Sequence, residues 1–227
     1  MIKNDPFEWM EHVLNAPVEL WDFQETMLRD RSPKKIYRCG RRVGKTLLLI
    51  TEALWTALMN PSYKVLLVVP FDQNKEIMFH YIGEIMKNST ENYINRTKSF
   101  NEIYFKNNSV IQLLSTNSTN YESEITGLKA DAIFIDDMEY IPHEKCVDIL
   151  AVAAESPNTT IRIAFTPTPG KTSMCRSLYE DESNGYSKHF HPMTDRPDWN
   201  ENCPAFYRDL LTPQEYKNEI LAEFTDD

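Results

Sequence analysis

Gly44, Lys45 and Thr46 stand together in a chain that has only six glycines, and they carry three groups suited to holding a polyphosphate. A glycine lets the backbone turn tightly enough for successive N–H groups to converge on anionic oxygens. The lysine reaches the terminal phosphates, and the hydroxyl offers a ligand to magnesium. The full run is Cys39-Gly40-Arg41-Arg42-Val43-Gly44-Lys45-Thr46. Cys39 occupies the position where the strict G-x-x-x-x-G-K-[ST] pattern has its first glycine. Arg41 and Arg42 add cations that could stabilise charge on a phosphoryl group in transfer.

Nucleotide hydrolysis also needs carboxylates. Asp136, Asp137 and Glu139 follow the apolar run Ala132–Ile135. Asp136 is the expected magnesium partner of Thr46, and Asp137 the expected water-orienting group. Strand geometry motivates that order, because the residue after Asp136 lies just past the strand tip. Glu139 is the alternative for the same role, although it should already have entered the following turn. In isolation two such acids would read as a loop start or a helix N-cap.

Upstream, Trp21-Asp22-Phe23-Gln24 offers an amide that can pair with an adenine edge, beside aromatics that could pack on a base. The same aromatic pair would suit a core position equally well. Thr166 and Thr168, in Thr166-Pro167-Thr168-Pro169-Gly170, could sense a terminal phosphate, or simply belong to a Pro-rich exit turn.

Strands and helices must bring these residues together, and the hydrophobic pattern says how. Helical stretches are expected near 6–15 and 20–29. A strand near Lys35–Arg38 enters the basic loop, and a largely apolar helix from Lys45 to Met59 leaves it. Lys64–Val69, Ala132–Ile135 and Thr160–Phe165 read as continuous apolar strands of a parallel sheet covered on both faces. Helices are expected near 73–87 and 143–154. A hairpin is expected to turn at Asn107-Asn108. This alternation specifies an α/β fold. The reading divides the chain into a core of residues 1–169, with N-terminal helices inside 1–30, and a small helical segment of residues 170–227.

Composition is that of a globular chain, 41% hydrophobic and 26% charged, which excludes a disordered or collagenous protein. The first thirty residues are acidic, so they do not read as a secretory signal, and no apolar run is long enough to span a membrane. Cys39, Cys146, Cys175 and Cys203 are too scattered for a zinc site or a disulfide framework. Net charge is −10, yet residues 31–46 hold seven basic side chains and no acidic one. That contrast suits a concentrated anion site in an acidic protein, or a basic solvated loop.

The motifs resemble those of the large terminase subunits, the DNA-packaging motors of tailed bacteriophages. Gly40–Thr46 with its doubled arginine is similar to that family's deviant Walker A loop, and Leu20–Gln24 to its adenine-binding motif. Gly127–Asp131 resembles the approach to Walker B, Phe165–Pro169 the coupling motif, and Thr194–Pro197 a "DNP" segment with arginine in place of asparagine. Tyr216–Phe224 is similar to the passage toward a nuclease. The family commonly has Asp-Glu where this chain has Asp136-Asp137.

The resemblance implies a P-loop NTPase of the additional-strand (ASCE, RecA-like) type, using ATP and Mg2+, with residues 170–227 as a lid leading to a nuclease not present in this sequence. It further implies double-stranded DNA, the portal protein and the small terminase subunit as partners, no membrane, and the host cell cytoplasm as location. A homo-oligomeric ring is expected in the assembled motor and a monomer in isolation. A ring motor often completes each site with an arginine from a neighbour, and Arg96 is the candidate here. Two alternatives stand beside this reading: a superfamily 2 helicase-like ATPase, and a nucleotide-binding assembly subunit that does not hydrolyse.

Overall fold

The computed structural model describes residues 5–13, 20–87, 89–154, 158–169 and 173–225. Its centre is an eight-stranded sheet. Strand β1 (Lys34–Cys39) leads into helix α3 (Lys45–Met59), after two short helices, α1 (Pro6–Val13) and α2 (Asp22–Arg29). Residues 14 and 15 of the first expected helix lie outside the described residues. Then come β2 (Lys64–Val69), α4 (Asp72–Lys87), β3 (Ile94–Lys98), β4 (Glu102–Phe105), β5 (Val110–Ser115), α5 (Tyr121–Ile125) and β6 (Ala132–Ile135). After a 3-10 turn at Met138–Tyr140 follow α6 (His143–Ala154), β7 (Thr160–Phe165), α7 (Ser173–Glu180), β8 (Ser187–His191) and α8 (Cys203–Leu210).

The sheet order is β3-β4-β5-β2-β6-β7-β1-β8. Pairing is parallel from β5 to β8, while the β3-β4-β5 end is antiparallel. Strand β7 lies between β1, which carries the basic loop, and β6, which carries the acids. That inserted strand defines the additional-strand class.

Alternation within each central strand explains its unbroken apolar sequence. Val65, Leu67 and Val69 join one core with α3 and α4, while Leu66 and Val68 join a second with α5 and α6. Ala132 and Phe134 likewise face the first core, and Ile133 and Ile135 the second. A strand buried on both sides has no polar face to show. Each fully buried leucine or isoleucine contributes about 1.5–3 kcal/mol, so the two layers fix the height at which every strand ends.

Three features differ from the expectations. The hairpin has a third strand, β3, whose side chains are mostly exposed. The turn between β4 and β5 places Asn108 alone in the left-handed region (φ 68°). Asn107 instead accepts from the Ser109 N–H through its side chain at 3.0 Å. Finally, the expected helical segment after residue 169 contributes β8 to the main sheet, in parallel register with β1 from Lys35↔Ser187 to Cys39↔His191. Ser-Lys-His-Phe-His lacks an apolar run because β8 is a sheet edge, so only pairing with β1 reveals it. The residue-169/170 division also meets residues 170–172, which lie outside the described residues, as do 1–4 and 14–19 of the N-terminal portion.

Candidate functional site

β1, β6 and β7 all end at one edge of the sheet, and their following loops form a cavity of about 320 Å³. It is lined by Arg41, Arg42, Gly44, Lys45, Thr46, Asp137, Glu139, Tyr140 and Thr166.

The loop is shaped by close approaches. A Cβ on Gly40 would come within 2.5 Å of the Met193 nitrogen and 2.7 Å of the Ile220 carbonyl oxygen, so only glycine fits there. Cys39 is still strand, with a buried thiol pushed up to about 12 by desolvation. Its backbone is not left-handed, which is why the strict pattern's first glycine is dispensable. Arg42 (φ 57°) and Gly44 (φ 81°) take left-handed conformations that fold the loop back before α3 begins. Val43 is buried within the loop, and its carbonyl accepts from the Gln24 Nε2 at 2.8 Å.

Lys45 and Thr46 open α3. The Lys45 ammonium donates to the Gly40 carbonyl (3.0 Å) and to the Thr166 hydroxyl (2.7 Å). Thr46 Oγ1 donates to Asp136 Oδ2 at 2.5 Å. The other Asp136 oxygen is buried without a hydrogen-bond partner. Burial, then the neighbouring Asp137 charge, pushes the Asp136 carboxyl up to about 7. A threonine hydroxyl beside a carboxylate with an uncommitted oxygen is the hard-oxygen donor set that magnesium prefers.

Asp137 adopts φ 49°, turning the chain off the end of β6 into the Met138–Tyr140 turn. That turn returns Glu139 to the cavity. Its Oε1 accepts the Thr166 N–H at 3.1 Å, while Oε2 is buried and unpartnered. Burial raises the Glu139 carboxyl to about 8, with Asp137 adding to the shift and Lys45 opposing it. Glu139 thus entered the turn as the sequence suggested, but its side chain points inward.

Thr166 joins the cavity, whereas the Thr168 hydroxyl donates to the Thr166 carbonyl at 3.1 Å and is not part of the lining. Gly170 lies outside the described residues. Arg41 lines the cavity but is paired with Glu219 (Nε–Oε2 2.6 Å) and bonded to the Tyr140 hydroxyl (3.3 Å). Arg42 is exposed beside it. Arg96 is not brought to the site. It sits on edge strand β3, its guanidinium 4.1 Å from the Tyr104 ring centroid, with five strands between β3 and β1.

The aromatic pair, Trp21 and Phe23, is also outside the cavity lining. Phe23 stacks on His191 at 4.6 Å, and Trp21 tilts against Phe23 at 5.6 Å. Gln24 is buried with both ends of its amide engaged. Sequence reasoning missed Glu219 and Tyr140 as partners of Arg41. They lie 178 and 99 residues away, with no local spacing to flag them.

A glycine-bent loop at a helix start, facing strand-end carboxylates across an inserted strand, defines the additional-strand P-loop fold. The family described as "Terminase large subunit, T4likevirus-type, N-terminal" matches residues 36–218, and the chain belongs to that family. No curated protein sequence matches it. Among solved structures, it is similar to the HK97 bacteriophage large terminase (TM-score 0.80, 13% identity, 98% of this chain and 55% of that one). It is also similar to the Thermus phage P74-26 large terminase ATPase domain (TM-score 0.71, 14% identity, 92% and 94%). A third is the large terminase of a thermophilic bacteriophage in complex with ADP (TM-score 0.68, 13% identity, 86% and 49%). The chain therefore spans nearly all of the isolated P74-26 ATPase domain and about half of the other two large terminases. Among the described residues, no helix is long and apolar enough to cross a membrane.

Proposed function

We propose that this chain is the magnesium-dependent, ATP-hydrolysing motor domain of a phage DNA-packaging enzyme. The observation that carries the reading is the contact of Thr46 with Asp136 at 2.5 Å, because Thr46 lines the cavity next to Lys45 and a hydroxyl–carboxylate pair there suits a magnesium ion beside a polyphosphate.

Lys45 and the loop N–H groups would bind the phosphates, and Thr46 and Asp136 would hold the magnesium. Bound magnesium supplies neutralisation of charge on the phosphate oxygens. Asp137 orients a water whose oxygen bonds to the γ-phosphorus as the bond to the β–γ bridging oxygen breaks. The water's proton passes to Asp137, and the products are ADP and phosphate. Glu139, held by the Thr166 N–H, links the acids of β6 to the loop after β7. Arg42, exposed at the cavity, is placed to stabilise charge on the transferring group, and Arg41 could do so on release from Glu219. Arg96, on an exposed edge, is the candidate for reaching a neighbouring copy's site in a ring.

The assembled motor would act in the host cell cytoplasm on double-stranded DNA, with the portal protein and the small terminase subunit. The test is phosphate release with and without Mg2+, and with and without duplex DNA, for the parent chain and Thr46→Ala. Magnesium-dependent turnover that rises with DNA, without strand separation, is expected. Strand separation would favour a helicase, and nucleotide binding without turnover an assembly subunit.

A further inference from the structure

We propose that Tyr140 is a positioning residue for Arg41, holding the guanidinium at the wall of the phosphate cavity while its two-nitrogen edge passes from Glu219 to a phosphoryl group. The proposal rests on the reading of the loop as a nucleotide site.

Arg41 stands between two cavities. Tyr140 lines the phosphate cavity. Glu219 lines a second cavity of about 400 Å³ on the side of α8, together with Phe206, Tyr207 and Leu210. Arg41 lines both. Its two side-chain partners therefore mark two sides, with Glu219 away from the phosphates and Tyr140 beside them.

The hydrogen bonds divide in the same way. Glu219 takes the edge formed by Nε (2.6 Å) and Nη2 (2.9 Å). That pair of parallel N–H groups is the one suited to two oxygens of a carboxylate or a phosphate. Nη2 also donates to the Tyr140 hydroxyl at 3.3 Å, through its second hydrogen. A guanidinium has five N–H donors, so the bond to Tyr140 competes with neither acid. The Arg41 N–H is held by the Glu219 carbonyl at 2.8 Å, which fixes the main chain. Exchange of partners is then a rotation of the side chain about the contact with Tyr140.

Tyr140 is itself held in place. Its N–H donates to the Asp137 carbonyl at 3.0 Å, closing the turn that carries Asp137 and Glu139. Its ring lies 6.2 Å from that of Phe71, just past the end of β2. A long side chain loses rotamer freedom when it must meet a reacting group, and a bond already in place lowers that loss.

The experiment measures equilibrium binding of ATP and of ADP with aluminium fluoride, a mimic of the phosphoryl group in transfer, together with single-turnover hydrolysis, all in magnesium buffer. The proteins are the parent chain, Tyr140→Phe, Arg41→Ala, the double variant and Lys45→Ala. Tyr140→Phe removes only the hydroxyl and keeps the ring against Phe71, so its melting temperature should match the parent's. The expected result is a loss of about 10-fold in hydrolysis rate and in affinity for ADP with aluminium fluoride, while ATP affinity stays within about 3-fold. On the Arg41→Ala background, Tyr140→Phe should cause no further loss of either affinity. Equal losses on both backgrounds would mean that the hydroxyl acts without Arg41, and would overturn the proposal. An unchanged rate and unchanged affinities in Tyr140→Phe would overturn it as well. So would a lowered melting temperature with both affinities falling together, which would make the hydroxyl a structural support. A parent chain that binds no ATP, or a Lys45→Ala chain that binds it equally, overturns the nucleotide reading and this proposal with it.

Discussion

Arg41, in the phosphate loop, and Glu219, near the end of the described chain, are joined three times. The guanidinium makes contacts of 2.6 and 2.9 Å to the two carboxylate oxygens, and the Arg41 N–H donates to the Glu219 carbonyl at 2.8 Å. Desolvation works against the Arg41 charge, but Glu219 and Tyr140 outweigh it and raise the guanidinium's pKa above its ordinary value. The side chain is half-exposed, so the ion pair adds little to stability, about 1 kcal/mol or less. Its consequence is functional, because an arginine paired with a carboxylate is not available to a phosphate.

Glu219→Gln is therefore expected to tighten ATP binding by about 2- to 10-fold, and Arg41→Ala to weaken it, each with a small change in melting temperature. Equilibrium titration with a fluorescent ATP analogue measures both. If Glu219→Gln weakened binding as much as Arg41→Ala, the glutamate would be supporting the arginine, and competition with phosphate would be the wrong description.

Much of this architecture was legible in the residues. Lys45–Met59, Lys64–Val69, Ala132–Ile135, His143–Ala154 and Thr160–Phe165 carry hydrophobic patterns strong enough to set their own boundaries. The loop and its facing acids were legible because their chemistry is local to a few adjacent residues. Strands β3 and β8 were not, since edge strands bury too little to show a pattern. The inward course of Glu139 was hidden for another reason. It depends on Asp137 adopting a left-handed conformation, which aspartate permits but does not announce. Gln24 was read as an amide able to pair with an adenine edge, yet its partner here, the Val43 carbonyl, is a backbone group that no side-chain motif reveals.

A second network lies apart from the cavity. Glu52 on α3 accepts from Lys35 (2.9 Å) and Arg162 (2.7 Å), and from the Tyr37 hydroxyl (3.3 Å), all buried. Two cations share one carboxylate. Removing it strands both charges in the interior, at a cost of about 3–5 kcal/mol. Glu52→Leu should show that loss in the urea midpoint. A change below about 1 kcal/mol would mean that the Met27, Asp30, Pro33 and Ile161 carbonyls, which also accept from these cations, suffice alone.

Alkaline pH should destabilise the fold. Burial raises the Cys39 and Cys146 thiols to about 12, and Tyr186 also to about 12. Above about pH 9 the unfolded chain releases protons from such groups while the folded chain keeps them. The folded state then binds more protons, so stability falls as pH rises through that range. Lys35, lowered by burial to about 8, has the opposite sign, because between pH 8 and 10.5 the unfolded lysine keeps a proton that the folded one releases. One lysine opposes three acids, so the balance is destabilising. Urea midpoints at about pH 8, 9 and 10 measure it. A midpoint that held constant or rose across the upper half of that range would contradict the assignment.

The last prediction concerns the two remaining carboxylates of the cavity, Asp137 and Glu139. Glu139 is tethered by the Thr166 N–H and is 4% exposed, so its position is set by β7 as much as by its own turn. Asp137 directly follows Asp136, the proposed magnesium ligand, and is half-buried at the strand tip. A water-orienting group must reach solvent that enters with the substrate, which favours Asp137. Its side chain is about one methylene shorter than a glutamate, so basal turnover is expected to be slow. Asp137→Asn should bind ATP normally and lose at least about 10²-fold in single-turnover hydrolysis, the scale expected of a proton-accepting group. Glu139→Gln keeps an oxygen for the Thr166 N–H and should retain measurable single-turnover hydrolysis. Rapid-quench measurement with radiolabelled ATP separates the two. A dead Glu139→Gln beside an active Asp137→Asn would move the water-orienting role two residues along the turn. The tether to Thr166 would then serve to aim the catalytic group itself.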